Sequence, residues 1–167
     1  MKIQDAANIL SISGELTPEI VKAAYRKACS LYHPDRNPAG LEMMKSVNEA
    51  YETLKDYSGN IEKPSFNYAE ALFEALQMAT SLDGITIEIC GAWVWLDGNT
   101  KAHKDTLRNS KKVLPNENGY RWAAKKKMWY FRPDDWKSSA RGNWTMDNIR
   151  GTYGSQNVER PELKKIA

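Results

Sequence analysis

A proline-bounded turn near residue 34 constrains the fold of this chain more than any other feature of its sequence. Pro34 has no amide donor and disfavours helical geometry at the residue before it, so a preceding helix must end near Tyr32. The pair Asn37-Pro38 keeps the next residues out of a helix as well. His33 and Asp35 are therefore predicted to lie on a stiff, exposed turn, a position that suits docking better than packing.

Apolar residues recur at helical spacing on both sides of the turn and predict two facing helices. The stripe before the turn consists of Val21, Ala24, Ala28 and Leu31, and the stripe after it of Met44, Val47, Ala50, Tyr51 and Leu54. Such stripes bury each other in an antiparallel helical hairpin whose exposed tip is the turn. On the opposite face of the first of these helices, Lys22 and Arg26 lie one turn apart, beside Lys27.

A shorter helix is predicted upstream of the hairpin, over about residues 3–10. Its inward-facing residues would be Ile3, Ala6, Ala7 and Leu10. Thr17 can cap the next helix, and Pro18 suits the first helical position. The third helix is predicted to begin near Gly40 and to end within residues 57–59.

Three stretches of the N-terminal third form one pattern: Ala24-Tyr25-Arg26-Lys27, His33-Pro34-Asp35-Arg36-Asn37-Pro38 and Val47-Asn48-Glu49-Ala50-Tyr51-Glu52-Thr53-Leu54. The pattern resembles the J-domain family, the DnaJ-type co-chaperones, over residues 1 to about 57. A bare His-Pro-Asp tripeptide occurs by chance in many proteins, but here it lies between two matching helices at the spacing of the family. Longer J-domains continue into a short basic fourth helix, whereas residues 56–64 of this chain are rich in turn formers and predict a linker.

The resemblance implies that the turn and the positive face of the second helix bind a DnaK-type chaperone and bias it toward ATP hydrolysis. The residues that match this binding surface are Lys22, Arg26, Lys27, His33, Pro34 and Asp35. J-domain proteins hold no nucleotide themselves, and no glycine-rich phosphate loop occurs in this chain. The resemblance thus implies a regulator of an ATPase that is not itself an enzyme and carries no cofactor.

Two other interpretations of the turn explain less of the sequence. A plain helix-terminating turn with a solvated His33 and Asp35 leaves the matching helices on both sides unexplained. A catalytic His–Asp pair would need a nucleophile, and no Ser or Cys lies in a recognisable motif. Neighbouring residues on a turn also rarely point at one substrate atom.

Composition narrows the class of protein further. With 167 residues, of which 41% are hydrophobic, the chain is long enough for one ordinary domain or two small ones. No apolar run approaches membrane-spanning length, and the N-terminus lacks the apolar core of a signal peptide. Cys29 and Cys90 form no CxxC motif, and His33 and His103 are the only histidines, which argues against a metal site. We therefore expect a cytoplasmic protein with reduced thiols, and neither a membrane nor a small-molecule substrate as its partner.

Charge is distributed unevenly along the chain. Residues 100–142 contain twelve Lys and Arg against four acids, a net charge of +8, although the whole chain carries +3. This asymmetry predicts a basic C-terminal module with an anionic partner, or merely a solvated basic surface.

The C-terminal two thirds are predicted to combine helices and strands. An amphipathic helix at about residues 67–82 is followed by a change of period to two at Ile85, Ile87 and Ile89. The elements that follow are a strand at 93–96, a short helix at about 101–109 and strands at 120–122 and 128–131. The chain is thus predicted to be α+β, with a J-domain at 1–60, a linker and connecting helix at 61–83, a small α+β basic module at 84–133 and a tail rich in Gly, Ser and Asn at 134–167.

A second resemblance concerns the predicted hairpin. Gly119-Tyr120-Arg121-Trp122 and Lys127-Met128-Trp129-Tyr130, joined by a basic turn, are similar to a small domain of unknown function. That domain recurs in proteins of plasmids, phages and other mobile elements, so the resemblance implies a context rather than an activity.

The basic and aromatic residues of this hairpin allow two interpretations. Exposed rings can stack on bases while Lys and Arg follow phosphates; alternatively, the rings are half-buried and the lysines form a solvated turn. The nucleic-acid interpretation would use Arg121, Lys125, Lys126, Lys127, Trp129 and Arg132. The tail, with a short helix at about residues 146–150, either packs back on the module or is a linear interaction segment.

The sequence supports two functional hypotheses. The main one is a co-chaperone that stimulates ATP hydrolysis by a DnaK-type chaperone and targets it through the basic C-terminal module. The alternative is a nucleic-acid-binding protein of a mobile element that uses the J-like helices as a protein-interaction handle. The chemistry of the second helix favours the chaperone and the charge asymmetry favours nucleic acid, and the two hypotheses are compatible.

Overall fold

A computed structural model describes residues 1–37, 39–63, 67–114, 119–132 and 144–158. These residues form helices and antiparallel strands, which confirms the predicted α+β class. The helices are α1 (Ile3–Ile9), α2 (Pro18–Leu31), α3 (Gly40–Leu54), α4 (Tyr68–Thr80), α5 (Lys104–Asn109) and α6 (Met146–Tyr153). The strands are β1 (Gly14–Leu16), β2 (Gly59–Ile61), β3 (Ile85–Cys90), β4 (Trp93–Gly98), β5 (Arg121–Ala123), β6 (Met128–Phe131) and β7 (Gln156–Val158).

The start of α2 follows the predicted capping chemistry, and its end corrects one prediction. The Thr17 side chain accepts a hydrogen bond from the amide of Ile20 at 3.4 Å, and Pro18 is the first helical residue. Leu31 was predicted to face inward, but it is 57% exposed and the buried residue is Tyr32. The reason is that Tyr32 leaves helical geometry, with φ −103° and ψ 25°, and its ring packs on Phe73 with 5.0 Å between centroids.

The predicted faces of α1 and α3 are largely confirmed. Ala6, Ala7 and Leu10 are buried as expected, but Ile3 is exposed, since it is the first residue of α1. In α3, Met43 joins the predicted stripe, and the helix ends at Leu54 rather than within residues 57–59.

The predicted linker after α3 contains a short strand. β2 pairs antiparallel with β1, with Gly14 opposite Ile61 and Leu16 opposite Gly59. Leu16 and Ile61 are buried, so the chain after α3 is fastened to the loop between α1 and α2. Three residues are too few to show a period of two, so this pair of strands could not be predicted from the sequence.

Helix α4 packs on α3 on one side and on the sheet on the other. Its N-cap is Asn67, and the hydroxyl of Tyr68 donates to the carbonyl of Ala92 in the β3–β4 turn. The hydroxyl of Tyr120 donates to the Ala75 carbonyl at 2.8 Å. One continuous set of buried residues therefore extends from α1 to the sheet, and the boundaries near residues 60, 83 and 133 remain a prediction about folding units.

The larger sheet has five strands in the order β5-β6-β4-β3-β7, all antiparallel. Its three inner strands are the predicted β3, β4 and β6, and the predicted β5 forms one edge. The unpredicted β7 forms the other edge, with Val158 opposite Ile87. The tail was predicted either to pack back on the module or to be a linear interaction segment, and residues 144–158 pack back on the module. Residues 133–143 and 159–167, which include Trp136 of the predicted tail, lie outside the described part of the chain.

An ion pair anchors α6 to the sheet. Glu88, which alternates with Ile87 and Ile89, is buried as they are, and Arg150 donates to its two oxygens at 2.6 and 2.8 Å. These hydrogen bonds hold the pKa of the Glu88 carboxyl below its usual value; burial opposes them, and a hydrogen bond from Ser155 adds to them. Within the described ranges, no helix is both long and apolar enough to cross a membrane.

Candidate functional site: the turn after α2 and the basic hairpin

The turn between α2 and α3 is held by its own backbone. The amide of Arg36 donates to the carbonyl of His33 at 3.0 Å, and the amide of Asn37 donates to that of Pro34 at 3.3 Å. The Nδ1 atom of His33 also accepts a hydrogen bond from the amide of Asp35 at 3.2 Å. These bonds fix the position of the side chains without burying them, as the sequence predicted.

The His33 and Asp35 side chains are presented to solvent, at 51% and 84% exposure. Because Nδ1 of His33 accepts the Asp35 amide, the neutral imidazole carries its proton on Nε2. The Asp35 carboxylate, 3.5 Å from Nδ1, then remains an unburied acceptor. The turn therefore offers a donor and an anionic acceptor to a partner, and neither group needs to be desolvated before an encounter.

Gly40, at the start of α3, braces the turn from behind. A Cβ atom at this residue would lie 2.7 Å from the Tyr32 carbonyl oxygen, 2.8 Å from Pro34 Cα and 2.9 Å from the His33 carbonyl oxygen. All three contacts are with backbone, so no side chain fits without moving the turn. The sequence marked Gly40 only as a helix start, because a contact between helix ends leaves no local signal.

The predicted positive face of α2 lies on the surface that leads to the turn. Lys22, Arg26 and Lys27 are all exposed. Two apolar side chains flank the same turn: Leu31, at the end of α2, and Leu41, which is 48% exposed at the start of α3. The surface thus combines a positive helix face, a polar tip and two exposed leucines. The exposure of the helix face and the tip was predicted, and that of the leucines was not.

Strand alternation divides the predicted nucleic-acid residues between the two faces of the sheet. Trp122 lies opposite Trp129 on the face that packs on α4, whereas Arg121 lies opposite Tyr130 on the other face. Trp129 is buried, so its ring is not offered to a base, and the exposed ring on that face is Trp122, at 47%. Among the cations of the predicted set, Lys125 and Lys127 are exposed, and Lys127 has the left-handed φ of 53° that the hairpin turn requires.

The face opposite α4 carries three rings in mutual contact, called here the aromatic cluster: Trp93, Trp95 and Tyr130. Their centroids are 5.3–5.5 Å apart. Lys126 Nζ lies 5.8 Å from the centroid of the Trp95 ring, and the Arg132 guanidinium lies 5.8 Å from that of Trp93. The predicted basic residues and this group of rings therefore meet on one surface.

Two other side chains of reactive types, those of Cys90 and His103, are held by burial or by a polar contact within the fold. Burial, together with the neighbouring Glu88 carboxylate, raises the pKa of the Cys90 thiol to about 12, which leaves it unreactive. The ring Nε2 of His103 lies 2.9 Å from the carbonyl oxygen of Asp83. In the described part of the chain, no three His, Cys, Asp or Glu side chains are grouped as a metal site requires.

Comparisons with known proteins identify the N-terminal part. Residues 5–59 match the sequence model of the DnaJ domain family. The chain is similar to Chaperone protein DnaJ of Carboxydothermus hydrogenoformans, with 41% identity over 69 residues, or 40% of this chain and 18% of the relative. It is similar to Chaperone protein DnaJ of Ureaplasma parvum, with 39% identity over 69 residues, or 41% of this chain and 18% of the relative. The J-domain resemblance is thereby confirmed.

The similarity to these relatives is confined to one segment. For Chaperone protein DnaJ of Chlamydia felis, the identity is 46% over 55 residues, which is 31% of this chain and 14% of the relative. The chain thus spans less than a fifth of the length of the curated relatives it matches. No solved structure matches the chain. The second resemblance, that of the hairpin to a domain from mobile elements, stays a prediction.

Proposed function

We propose that this protein is a co-chaperone that stimulates ATP hydrolysis by a DnaK-type chaperone through its DnaJ domain. The observation that carries the proposal is the exposed His33-Pro34-Asp35 turn, fixed by backbone hydrogen bonds at the tip of the α2–α3 hairpin. A stiff turn suits a regulatory contact, because little conformational entropy is lost when a partner binds it.

The surface of α2 would serve recognition, and the turn would serve activation. Lys22, Arg26 and Lys27 present positive charge to an acidic region of the partner, which raises the encounter rate and sets the orientation. His33 and Asp35 would then stabilise the partner conformation that hydrolyses ATP. The chemistry stays in the partner, so we propose a regulator rather than an enzyme.

The direct test is steady-state ATP hydrolysis by a bacterial DnaK with the full-length protein added. We expect wild-type protein to stimulate hydrolysis, and His33→Gln and Asp35→Asn to abolish the stimulation. Asp105→Asn, at an exposed position of α5, is the matched control and should stimulate normally. Thermal melts of all variants should agree, because exposed substitutions change stability by within about 0.5 kcal/mol.

Two outcomes of this assay would contradict the proposal. One is a wild-type protein that stimulates no DnaK-type chaperone tested. The other is an Asp35→Asn variant that stimulates as strongly as wild type.

We also propose that the C-terminal module targets the protein to nucleic acid. The observation that favours this is the composition of residues 119–132, which include five Lys and Arg and no acid. Affinity should fall steeply as salt rises, because each neutralised phosphate releases counterions. Replacing Lys125, Lys126 and Lys127 together with Ala should flatten that dependence without unfolding the protein; binding that ignores salt would refute the proposal.

A further inference from the structure

We propose that the sheet face opposite α4 binds single-stranded nucleic acid, with bases stacking on Trp93 and Tyr130 and phosphates contacting Arg121, Lys126 and Arg132. This inference rests on the proposed nucleic-acid binding and adds the surface and the type of strand. It is independent of the co-chaperone proposal, which concerns the opposite end of the chain.

The rings of the aromatic cluster are arranged for stacking. Trp93 and Trp95 are inclined by 15°, with centroids 5.5 Å apart, and Trp93 and Tyr130 by 23°, with centroids 5.3 Å apart. Trp95 is buried beneath the other two rings and the α6 side chains that pack on this part of the sheet, while Trp93 and Tyr130 are only partly buried. The two outer rings thus present stacking surface that the inner ring holds in place, and any base can stack on such surface.

Cations border the outer rings. Arg121 is the cross-strand partner of Tyr130 and lies on the same face by alternation. Lys126 and Arg132 lie over Trp95 and Trp93, each 5.8 Å from the ring centroid. A strand whose bases stack on the rings would therefore bring its phosphates to positive side chains, and phosphate contacts supply most of the affinity for nucleic acid.

Among the described strand residues of the larger sheet, the acidic side chains on this face, Glu88 and Asp97, do not oppose an anionic ligand at the cluster. Glu88 belongs to the same face, but its carboxylate is neutralised by Arg150 on the side covered by α6. Asp97 lies at the far end of β4, where its Oδ1 accepts the amide of Gly98 at 2.7 Å. Among the described residues, the charge nearest the outer rings is therefore that of Arg121, Lys126 and Arg132.

The rings favour single strands over duplexes. In a duplex the base faces are stacked on each other, so a flat group of rings gains nothing from contact with it. The competing surface is Trp122, which lies on the opposite face of the same hairpin. It contacts the buried Trp129 with a 59° tilt, and the two cations seated over rings of the sheet lie on the other face.

The test is fluorescence anisotropy of a labelled oligothymidylate titrated with full-length protein at low salt, compared with a labelled hairpin duplex. We expect tighter binding of the single strand. Tyr130→Leu should weaken it by about 5- to 100-fold, which is the range for loss of one stacked base. Tyr130→Phe keeps the ring and should bind as wild type, and Arg121→Gln should reduce the salt dependence of binding.

Trp122→Leu is the matched control, because it removes an exposed ring from the same hairpin on the opposite face. It should leave affinity unchanged, as should His33→Gln. Thermal melts separate lost binding from lost folding, and should Tyr130→Leu fail to fold, Arg121→Gln and Lys126→Gln still test the face. A loss of affinity in Trp122→Leu without one in these variants would overturn the assigned face.

The remaining outcomes separate this inference from the broader proposal. Equal or tighter binding of the duplex would overturn the single-strand assignment and leave nucleic-acid binding intact. No binding of either probe by wild type at low salt would overturn both. Neither result bears on stimulation of a DnaK-type chaperone.

Discussion

Gly40, the first residue of α3, packs closely against the backbone of Pro34, and only a residue without a side chain fits at this position. Gly40→Ala would place a Cβ atom 2.8 Å from Pro34 Cα. We expect this variant to lose about 1–3 kcal/mol of unfolding free energy, as overpacked sites do, and to stimulate a DnaK-type ATPase less than wild type. Urea denaturation and the ATPase assay measure the two effects.

A second glycine provides the control for this prediction. Gly151 lies in α6 with open space at its Cβ position. Gly151→Ala should stabilise the protein by up to about 1 kcal/mol and leave stimulation unchanged. Equal behaviour of the two variants would show that the contact of Gly40 with the turn has no effect.

Leu31 and Met43 should respond in opposite ways to the same truncation. Met43 is fully buried in α3, so Met43→Ala should lose about 2–5 kcal/mol through lost burial and a cavity. Leu31 is mostly exposed, so Leu31→Ala should change stability by within about 0.5 kcal/mol, although its periodic position predicted a core residue. Chemical denaturation of both variants decides the matter, and a large loss in Leu31→Ala would contradict its position at the surface.

The ion pair between Glu88 and Arg150 should make stability depend on pH. The folded pKa of Glu88 lies below its unfolded value of about 4.3, so the pair contributes stability above that pH and loses it as the pH falls through the folded pKa. Arg150→Met leaves a buried carboxylate unpaired and should cost about 2–3 kcal/mol at pH 7, less than a fully buried pair because the Arg150 side chain is 42% exposed. Melts at pH 7 and at pH 4 should show the difference from wild type shrinking at acid pH, and a constant difference would exclude this role for the pair.

Arg26 should affect docking without affecting maximal stimulation. Since Arg26 is exposed on α2, Arg26→Ala should raise the protein concentration needed for half-maximal ATPase stimulation. The effect should be larger at low salt, where surface charges are less screened. Lys104→Ala, an exposed cation in α5, is the control and should stimulate as wild type at every salt concentration.

Local patterns in the sequence predicted the helical hairpin and four strands of the larger sheet. Val21, Ala28, Val47 and Leu54 repeat at helical spacing, and Pro34 dictates where the helix ends, so nothing distant is needed to place the turn. The sequence predicted that Leu31, rather than Tyr32, is the buried residue at the end of α2. The apolar stripe continues through Leu31, but the backbone turns immediately after it.

Long-range contacts account for what could not be predicted. Glu88 and Arg150 are 62 residues apart, and each is an ordinary polar residue in its local context. The strand β7 has only three residues, and it acquires its role from pairing with β3. Alternation separates Trp129 from Tyr130, but only the packing of α4 and α6 decides which of the two rings reaches solvent.

A hydrogen bond between α3 and β7, called here the joint, would affect how a bound cargo is delivered. Gln156 donates to the Glu49 carboxylate at 2.6 Å, linking residues 107 positions apart in the sequence. Flexible tethers create an effective concentration that falls with their length and leave orientation free. Here the continuous core and this joint replace the tether, so a nucleic acid held on the aromatic cluster would meet the partner chaperone at one fixed distance and angle from the His33-Pro34-Asp35 turn.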